Sequence, residues 1–299
     1  MQTLMAYLRL MRPANIITAI ADILAGYSVA FYYHKTEILE QIPDFEAAGW
    51  LVLATIGLYG GGVVLNDFFD ADLDRVERPE RPIPSGKASK QGAGIFGFGL
   101  VALGVLAALQ VSWPSGLLAA ATGGCAILYD SWGKHQTFFG PVNMGLCRGG
   151  NLLLGMSAFA SAPAQFWFTG LLPVVFISAV TMISRGEVHG KNTFSLKFGF
   201  VLYFVVITGI LLLAFIPDYQ YLFTVPFLIL FAWLVFPPLV KAIKKPEPRL
   251  IGLSVKAGVL SLIVMDAAIA AGFAGWKYGL VVLALLPLSR VVARFFAVT

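Results

Sequence analysis

The chain has 299 residues, 58% of them hydrophobic and 12% charged, with a mean hydropathy of +0.81 and a formal net charge of +5. So few polar side chains cannot coat a water-soluble globule of this size, so most of the surface faces lipid. The excess positive charge reads as a topology signal with some attraction to anionic lipid, and gives no reason to invoke nucleic acid.

A membrane span needs about 20 mostly apolar residues. Such stretches lie near 14–33, 48–69, 93–112, 115–132, 139–160, 167–184, 198–216, 219–240 and 250–273. A further stretch, 277–297, is apolar but carries Arg290 and Arg294 at its far end, and reads as a tenth span or an interfacial helix. The expected class is therefore all-α, a polytopic membrane bundle of nine helices with a tenth at the C-terminus if that stretch crosses. No low-complexity region, short repeat or long linker divides the chain, so residues 1–299 are expected to form one domain. MQTLMAYLRLMRPAN lacks a small-residue cleavage site, which predicts no removed leader.

Cytoplasmic loops collect Lys and Arg. With the N-terminus inside, Arg9 and Arg12, Arg75 through Lys90, Lys134, Arg185 through Lys197, and Lys241 through Arg249 are all cytoplasmic, while Lys35 and Lys277 stay outside. Trp50, Trp113, Trp167 and Trp276 then fall at outer span ends, at headgroup level. A plasma or inner cell membrane with cytoplasmic active-site loops is the expected setting.

Taken in chain order, the first span turns Asn15, Thr18 or Ala19, Asp22 and Gly26 to one helix face, a polar stripe inside the membrane. Gly60, Gly61 and Gly62 in the second span match no nucleotide-binding motif and read as small residues for close helix packing. That span ends in NDFFDADLDRVERPERPIPSGKASKQG, residues 66–92. Asp67, Asp70 and Asp74 fall within an arc of roughly 60° on one face, with Asn66 at its edge and Asp72 pointing the other way. Three carboxylates on one face repel unless a cation intervenes, and hard oxygen donors select Mg²⁺ or Ca²⁺. Arg75, Arg78 and Arg81 follow, suited to forked contact with phosphate, and Pro79, Pro82, Pro84 and Gly86 end the helix and turn the loop back. The competing reading is a solvated helix end whose charges neutralise one another.

Tyr129 and Lys134 close the fourth span. In the fifth, Asn143, Cys147 and Asn151 share a face, with Arg148 to one side. Two readings of these intramembrane polar groups stay open: an acceptor site lined by Asn15, Asp22, Asn143 and Asn151 with Arg148 reaching toward phosphate, or interhelical hydrogen bonding around a buried pair of Arg148 with Asp22 or Asp266. Asp266, far along the ninth span, reads as structural. Cys125 and Cys147 lie inside spans and form neither a disulfide framework nor a zinc site. His34, His135 and His189 sit in separate loops without metal-binding spacing. Among the aromatics, Phe68, Phe69 and Tyr129 are near enough to the acid motif to line a cavity.

N-D-x-x-D-x-x-x-D-R followed by R-P-x-x-S-G resembles the first Asp-rich motif of the UbiA-type intramembrane prenyltransferases. Arg12-Pro13 with Asn15 resembles their opening R-P-x-N, and Tyr129 with Lys134 their Tyr and Lys/Arg positions. The resemblance covers nearly the whole chain and implies Mg²⁺-dependent prenyl transfer from a polyprenyl diphosphate, over a cavity open to lipid, onto a small acceptor. It implies metal and catalytic roles for Asn66, Asp67, Asp70, Asp74 and Glu187, with Lys134, and diphosphate contacts from Arg75, Arg81, Lys134, Arg148, Arg185 and Lys191. Asn15, Asp22, Phe68, Tyr129, Asn143 and Asn151 would line the acceptor cavity. The second loop departs from the family pattern: SRGEVHGKNTFSLKFG offers Glu187 alone, among Arg185, His189 and Lys191, where two or more aspartates are usual. SRGEVHG, with MRPAN and NMGLCRGGN, is most similar to the UbiA-like EboC group of bacterial ebo clusters. That likeness implies a polar, polyol-like acceptor made by neighbouring pathway enzymes, where the superfamily at large would suggest an aromatic one. The eroded second motif also admits a lapsed member that acts as a membrane scaffold or binds prenyl lipid. A transporter would need paired broken helices in matching halves, and the D-G-x-x-A-R core of CDP-alcohol phosphotransferases is absent.

Overall fold

The computed structural model describes residues 2–37, 45–187, 190 and 193–296, and among these the regular structure is entirely helical. Seven segments are long and apolar enough to cross a membrane. Five are single helices in the first part and the end of the chain: α2 (Pro13–Glu37), α3 (Phe45–Phe69), α5 (Lys90–Leu109), α11 (Tyr221–Lys244) and α12 (Pro248–Ala274). The other two are composite, α8 (Ala162–Phe166) joined through a short 3₁₀ turn to α9 (Leu171–Ser184), and α10 (Thr193–Leu212) with its own terminal 3₁₀ turn.

Two more helices, α6 (Trp113–Ser131) and α7 (Phe139–Met156), are of crossing length and pack inside the same bundle, α6 on α7 and α7 on α2 and α9. Their average apolarity falls short because they carry polar groups: Ser115, Thr122 and Asp130 on α6, and Asn143, Arg148 and Asn151 on α7, all buried. These polar side chains face inward; Asp130, Asn143, Arg148 and Asn151 find partners on neighbouring helices, while Thr122 donates to the Leu118 carbonyl of its own helix.

Burial separates the axis of the bundle from its rim. The apolar windows of α2 and α12 are 83% and 78% buried, against 33%, 28% and 33% for α5, α10 and α11, so the first pair forms the centre and the last three face lipid. Close approach of α2 and α7 depends on paired glycines: a methyl group at Gly26 would lie 2.0 Å from the Leu152 carbonyl oxygen, and one at Gly155 would lie 2.3 Å from that of Ile23. Gly61 makes the equivalent contact with the α5 backbone at Gly97, as expected of its glycine run.

The C-terminal stretch expected as a tenth span or an interfacial helix is two eight-residue helices, α13 (Trp276–Leu283) and α14 (Leu285–Val292). Pro287 has no N–H to donate to the Leu283 carbonyl and its ring crowds that oxygen, which favours a break there. Gly275, at φ +88°, turns the chain back after α12, and the two helices then descend along α2: Tyr278 Oη donates to the Leu24 carbonyl at 3.1 Å and Ser289 Oγ to that of Ala14 at 2.9 Å.

At the opposite end of α2, the short helix α1 (Gln2–Leu10) lies over the bundle, its Tyr7 ring packed edge-on against Phe96 of α5 at 5.5 Å. Arg12, at φ +47°, makes the bend between α1 and α2 and brings its guanidinium under α1 toward the end of α3.

Candidate active site

The acid-rich segment starts inside the bundle and leaves it. α3 ends at Phe69, Asp70 forms the break, and α4 (Ala71–Glu77) continues for two turns before the proline-rich loop. Asp67 and Asp74 are 5% and 4% exposed and face the same way. The loop returns across them, so that Arg81 Nη1 lies 2.7 Å from Asp74 and 3.2 Å from Asp67, while Arg12 Nη2 lies 2.8 Å from Asp67. Gly86, at φ +74°, supplies the left-handed turn in that return. Asp70 pairs with Lys134, and Asn66 donates to Asp130 at 2.9 Å. Asp72 is on the far side, exposed, with Lys90 at 2.8 Å and Arg75 at 3.4 Å. The Lys90 hydrogen bond and charge hold the Asp72 carboxyl below its usual range.

Two cavities meet at this cluster. The larger, of about 1050 Å³, lies under α1 and runs from Arg12, Asp67 and Arg81 to Glu187 and the start of α12 at Arg249 and Lys256. The inner one, of about 310 Å³, is enclosed by α2, α3, α6, α7 and α12, and its lining includes Asn15, Asn66, Tyr129, Arg148 and Asn151. Arg12 lines both, so they adjoin at its side chain.

Among the described residues no group of three His, Cys, Asp or Glu side chains converges tightly enough to hold an ion by itself. Two carboxylates nevertheless converge on one positive point. Arg81 Nη1 sits between Asp67 and Asp74, whose hard carboxylate oxygens are donors of the kind a divalent cation would take. Asp67 and Asp74 would be the residues to hold Mg²⁺.

Several expected positions are corrected. Arg75 points away from the cluster and onto Asp72, because one residue past Asp74 turns its side chain about 100° round the helix; Arg81 and Arg12 take its place. Phe68 packs against Phe69 and the α5 backbone at Gly94 and lines neither cavity. Asn143 is fully buried and bridges one turn of α6, its amide nitrogen 3.1 Å from the Cys125 carbonyl and its oxygen 3.0 Å from the Tyr129 backbone N–H. It holds the end of α6 in place and has no free face toward an acceptor.

Asp22 lies behind the inner cavity, 3.2 Å from Arg148, and accepts from Asn151 at 2.9 Å; Asn151 in turn accepts from Thr55 at 2.8 Å. Arg148 also donates to Thr18 at 2.8 Å and stacks over Tyr59 at 5.3 Å. The interhelical pair of the second reading is thus present, while Arg148 and Asn151 also line the cavity. Arg185 donates to the Gln136 carbonyl, tying α9 to the loop after α6, and lines neither cavity. Glu187 lines the large cavity, half-buried; burial pushes its carboxyl up, opposed by the Arg78 guanidinium. His189 and Lys191 lie outside the described residues.

Sequence reasoning passed over Asp130, the partner of Asn66, whose only signal was its place beside Tyr129. Arg9 and Arg249 carry only a topology signal in the sequence, and Lys256 lies unremarked inside the 250–273 span.

The model of the UbiA prenyltransferase family matches residues 38–249 of the chain. The digeranylgeranylglyceryl phosphate synthase of Methanosarcina mazei is 31% identical over 225 residues, covering 69% of this chain and 75% of its own. That of Methanococcoides burtonii is 34% identical over 161 residues, covering 53% and 57%. Among solved structures, a UbiA homologue from Aeropyrum pernix superposes with a TM-score of 0.69 at 14% identity, covering 85% of this chain and 96% of its own. One from Archaeoglobus fulgidus, bound to GPP and Mg²⁺, gives 0.65 at 15%, covering 93% and 99%. At these identities the superpositions establish the shared fold.

Proposed function

The chain belongs to the UbiA prenyltransferase family, and from that premise we propose that this integral membrane prenyltransferase moves a prenyl group from a polyprenyl diphosphate to a small polar acceptor and releases diphosphate. The observation that carries the reading is the convergence of Asp67 and Asp74 on one cationic point at the junction of the two cavities. Residues 1–299 act as one catalytic domain in this reading, set in the plasma or inner cell membrane with the acid segment and the Glu187 loop on the cytoplasmic side.

The donor's diphosphate sits in the large cavity beside Arg12 and Arg81, with its prenyl end directed into the inner one, and Lys134, paired with Asp70 and lining neither cavity, would have to swing in to reach it. Mg²⁺, held by Asp67 and Asp74 with Asn66 and Asp70 adjoining, would neutralise the departing diphosphate as a Lewis acid. Arg12, Arg81 and Lys134 are displaced from their carboxylates toward phosphate oxygens and stabilise the same developing charge. Tyr59 and Tyr129 line the inner cavity, where aromatic faces attract an allylic cation and limited water slows its hydrolysis. The C1–O bond to diphosphate breaks, the acceptor hydroxyl oxygen bonds to the prenyl C1 carbon, and its proton passes to the released diphosphate.

A polar acceptor is supported by Asn15, Thr55, Asn66 and Asn151 along the inner wall and by relatives named for making digeranylgeranylglyceryl phosphate. The narrower likeness to the EboC group rests on SRGEVHG and its companion segments, and would make other enzymes of the same pathway the source of that acceptor.

The test is diphosphate release from geranylgeranyl diphosphate by the purified protein in nanodiscs, with Mg²⁺ or EDTA and a membrane-free lysate as acceptor source. Release is expected to need Mg²⁺, to rise with lysate, to vanish in Asp67→Ala and Asp70→Ala, and to stay within about twofold in Asp72→Ala, whose exposed ion pair faces away. Equal release from all three variants would defeat the assignment. A second reading is favoured by one observation: Glu187 is the lone acid of its loop. A scaffold that binds prenyl diphosphate but releases none from any chain length would be its signature.

A further inference from the structure

The acid motif turns two groups of side chains to two different neighbours. Asp67 and Asp74 meet Arg81 and Arg12. Asn66 and Asp70, one helical turn apart, meet the end of α6 and the turn after it: Asn66 Nδ2 donates to Asp130 Oδ1 at 2.9 Å, and Asp70 pairs with Lys134. Asp130 is 5% exposed, and its carboxylate accepts no other hydrogen bond among the described residues. Among those residues it is also the one acid lining the inner cavity. A carboxylate is costly to bury, so its single hydrogen-bond partner is informative.

A carboxylate only accepts hydrogen bonds, so the Asn66 atom facing it is the amide nitrogen, and the amide oxygen lies on the opposite side of the planar group. That Oδ1 accepts from no donor among the described residues. Asn66 is half-buried and stands at the edge of the arc that holds Asp67, Asp70 and Asp74. An amide at that edge has two senses. With its oxygen inward it adds a hard donor to Asp67 and Asp74; with its nitrogen inward it aims N–H groups at a cation and weakens binding. No third acid converges with those two among the described residues, so the further protein oxygen on offer is this neutral one.

We infer that Asp130 is a positioning residue, which holds the Asn66 amide with its nitrogen toward α6 and its oxygen toward the acid arc, where that oxygen serves the divalent cation. The inference rests on the prenyltransferase reading, in which Asp67 and Asp74 hold Mg²⁺. Groups behind a metal ligand fix its orientation, and their removal commonly costs about 10–100-fold in metal affinity. The helix that carries Asp130 is itself braced. Asn143 of α7 bonds the Cys125 carbonyl and the Tyr129 N–H, so the last turns of α6 are fixed just where Asp130 reaches across to α3.

Titration of the full chain with Mn²⁺ in phosphatidylcholine nanodiscs, read by the paramagnetic resonance of the free ion, tests this in a double-mutant cycle. Asn66→Ala and Asp130→Ala are each expected to weaken Mn²⁺ by at least about tenfold. The double variant is expected to match Asn66→Ala within about twofold, because Asp130 acts on the ion only through Asn66. Asp130→Asn keeps the side chain's size but lets the Asn66 amide face it in either sense, so it too should weaken the ion, where a packing role would leave the affinity at its wild-type value. Should Asp130→Ala fail to fold, Asp130→Asn completes the same cycle with Asn66→Ala. Ser131→Ala, whose hydroxyl bonds only carbonyls of its own helix, should change nothing. Additive losses would show that Asp130 acts on the ion by its own charge, and unchanged affinity in the Asp130 variants would show that it does not act on it. Either result overturns the inference and leaves metal-dependent transfer standing. Failure of the wild type to bind Mn²⁺, with and without geranylgeranyl diphosphate, would sink the transferase reading and the inference with it.

Discussion

Arg148 is 4% exposed and Asp22 and Asp266 are fully buried, so three ionisable groups meet at the middle of α7, α2 and α12. Arg148 lies 3.2 Å from Asp22, and Asp266 is buried beside them with neither of its oxygens hydrogen-bonded among the described residues. Removing one member of such a pair leaves a buried charge uncompensated, at a cost of about 3–5 kcal/mol, whereas replacing both with neutral groups of similar size is far milder. Asp22→Ala should therefore lower the thermal midpoint in detergent sharply, and Asp22→Asn/Arg148→Met should recover more than half of the loss. A double variant as unstable as the sum of its singles would show that the two do not act as a pair. Asp72 behaves oppositely. Its carboxyl sits below the ordinary value because Lys90 stabilises the ionised form, so its contribution is complete near neutral pH and fades only as the pH falls through that lowered value. The stability difference between wild type and Asp72→Asn, followed by unfolding at several pH values, should be small, flat around neutrality and absent in strong acid. Helical spacing was enough to read which side chains share a face, including the separation of Asp67 and Asp74 from Asp72. It could not say that Asp22 meets a partner 129 residues away at Asn151, or that Arg81 rather than Arg75 folds back, because those depend on neighbouring helices and on one turn of loop.

At the scale of the helices, the contact between α2 and α7 is built on absent side chains. A methyl group at Gly26 would enter the α7 backbone, and the two helices cannot separate without disturbing the Arg148 and Asn151 contacts they carry. Gly26→Ala should cost about 1–3 kcal/mol or more through overpacking and should depress turnover along with stability. Gly99→Ala, on the lipid face of α5 with nothing within 4 Å, should be neutral or stabilise by up to about 1 kcal/mol from helix propensity. Thermal unfolding of both variants checks the pair, and equal loss would show that the crossing tolerates spacing. Apolar length reveals helices that face lipid, which is why α5, α10 and α11 were plain in the sequence. It is a weaker guide to α6 and α7, whose polar residues are bought by neighbours, and to the C-terminal stretch, where Pro287 divides one apolar run into α13 and α14. Periodicity registers composition along one helix, while these features depend on what packs against it.

For the whole molecule, the cations that suggest orientation are also those that line the large cavity. Arg9, Arg12, Arg78, Arg81, Lys87 and Arg249 belong to loops and helix ends on one face. Trp113 and Trp276 begin α6 and α13 at the other face, and Trp167 sits at the turn into α9 on that same side. Tyr32, Phe166 and Phe273 cluster there, with ring centroids 5.3–5.9 Å apart. Under the proposed orientation the cationic face would lie in the cytoplasm, as the positive-inside rule expects, with the donor's diphosphate head available to the cavity from that side. The two requirements are separable by experiment. In sealed, right-side-out vesicles, a membrane-impermeant maleimide should label Trp113→Cys and spare Lys87→Cys until the membrane is opened, and inverted vesicles should give the reverse. Cys125 and Cys147 lie within α6 and α7 and are controlled by the unsubstituted protein. Labelling of Lys87→Cys from outside would place the aspartate cluster on the wrong side for a cytoplasmic donor. The diphosphate would then have to come through lipid or from beyond the membrane, and the basic residues would be serving catalysis against the topology rule.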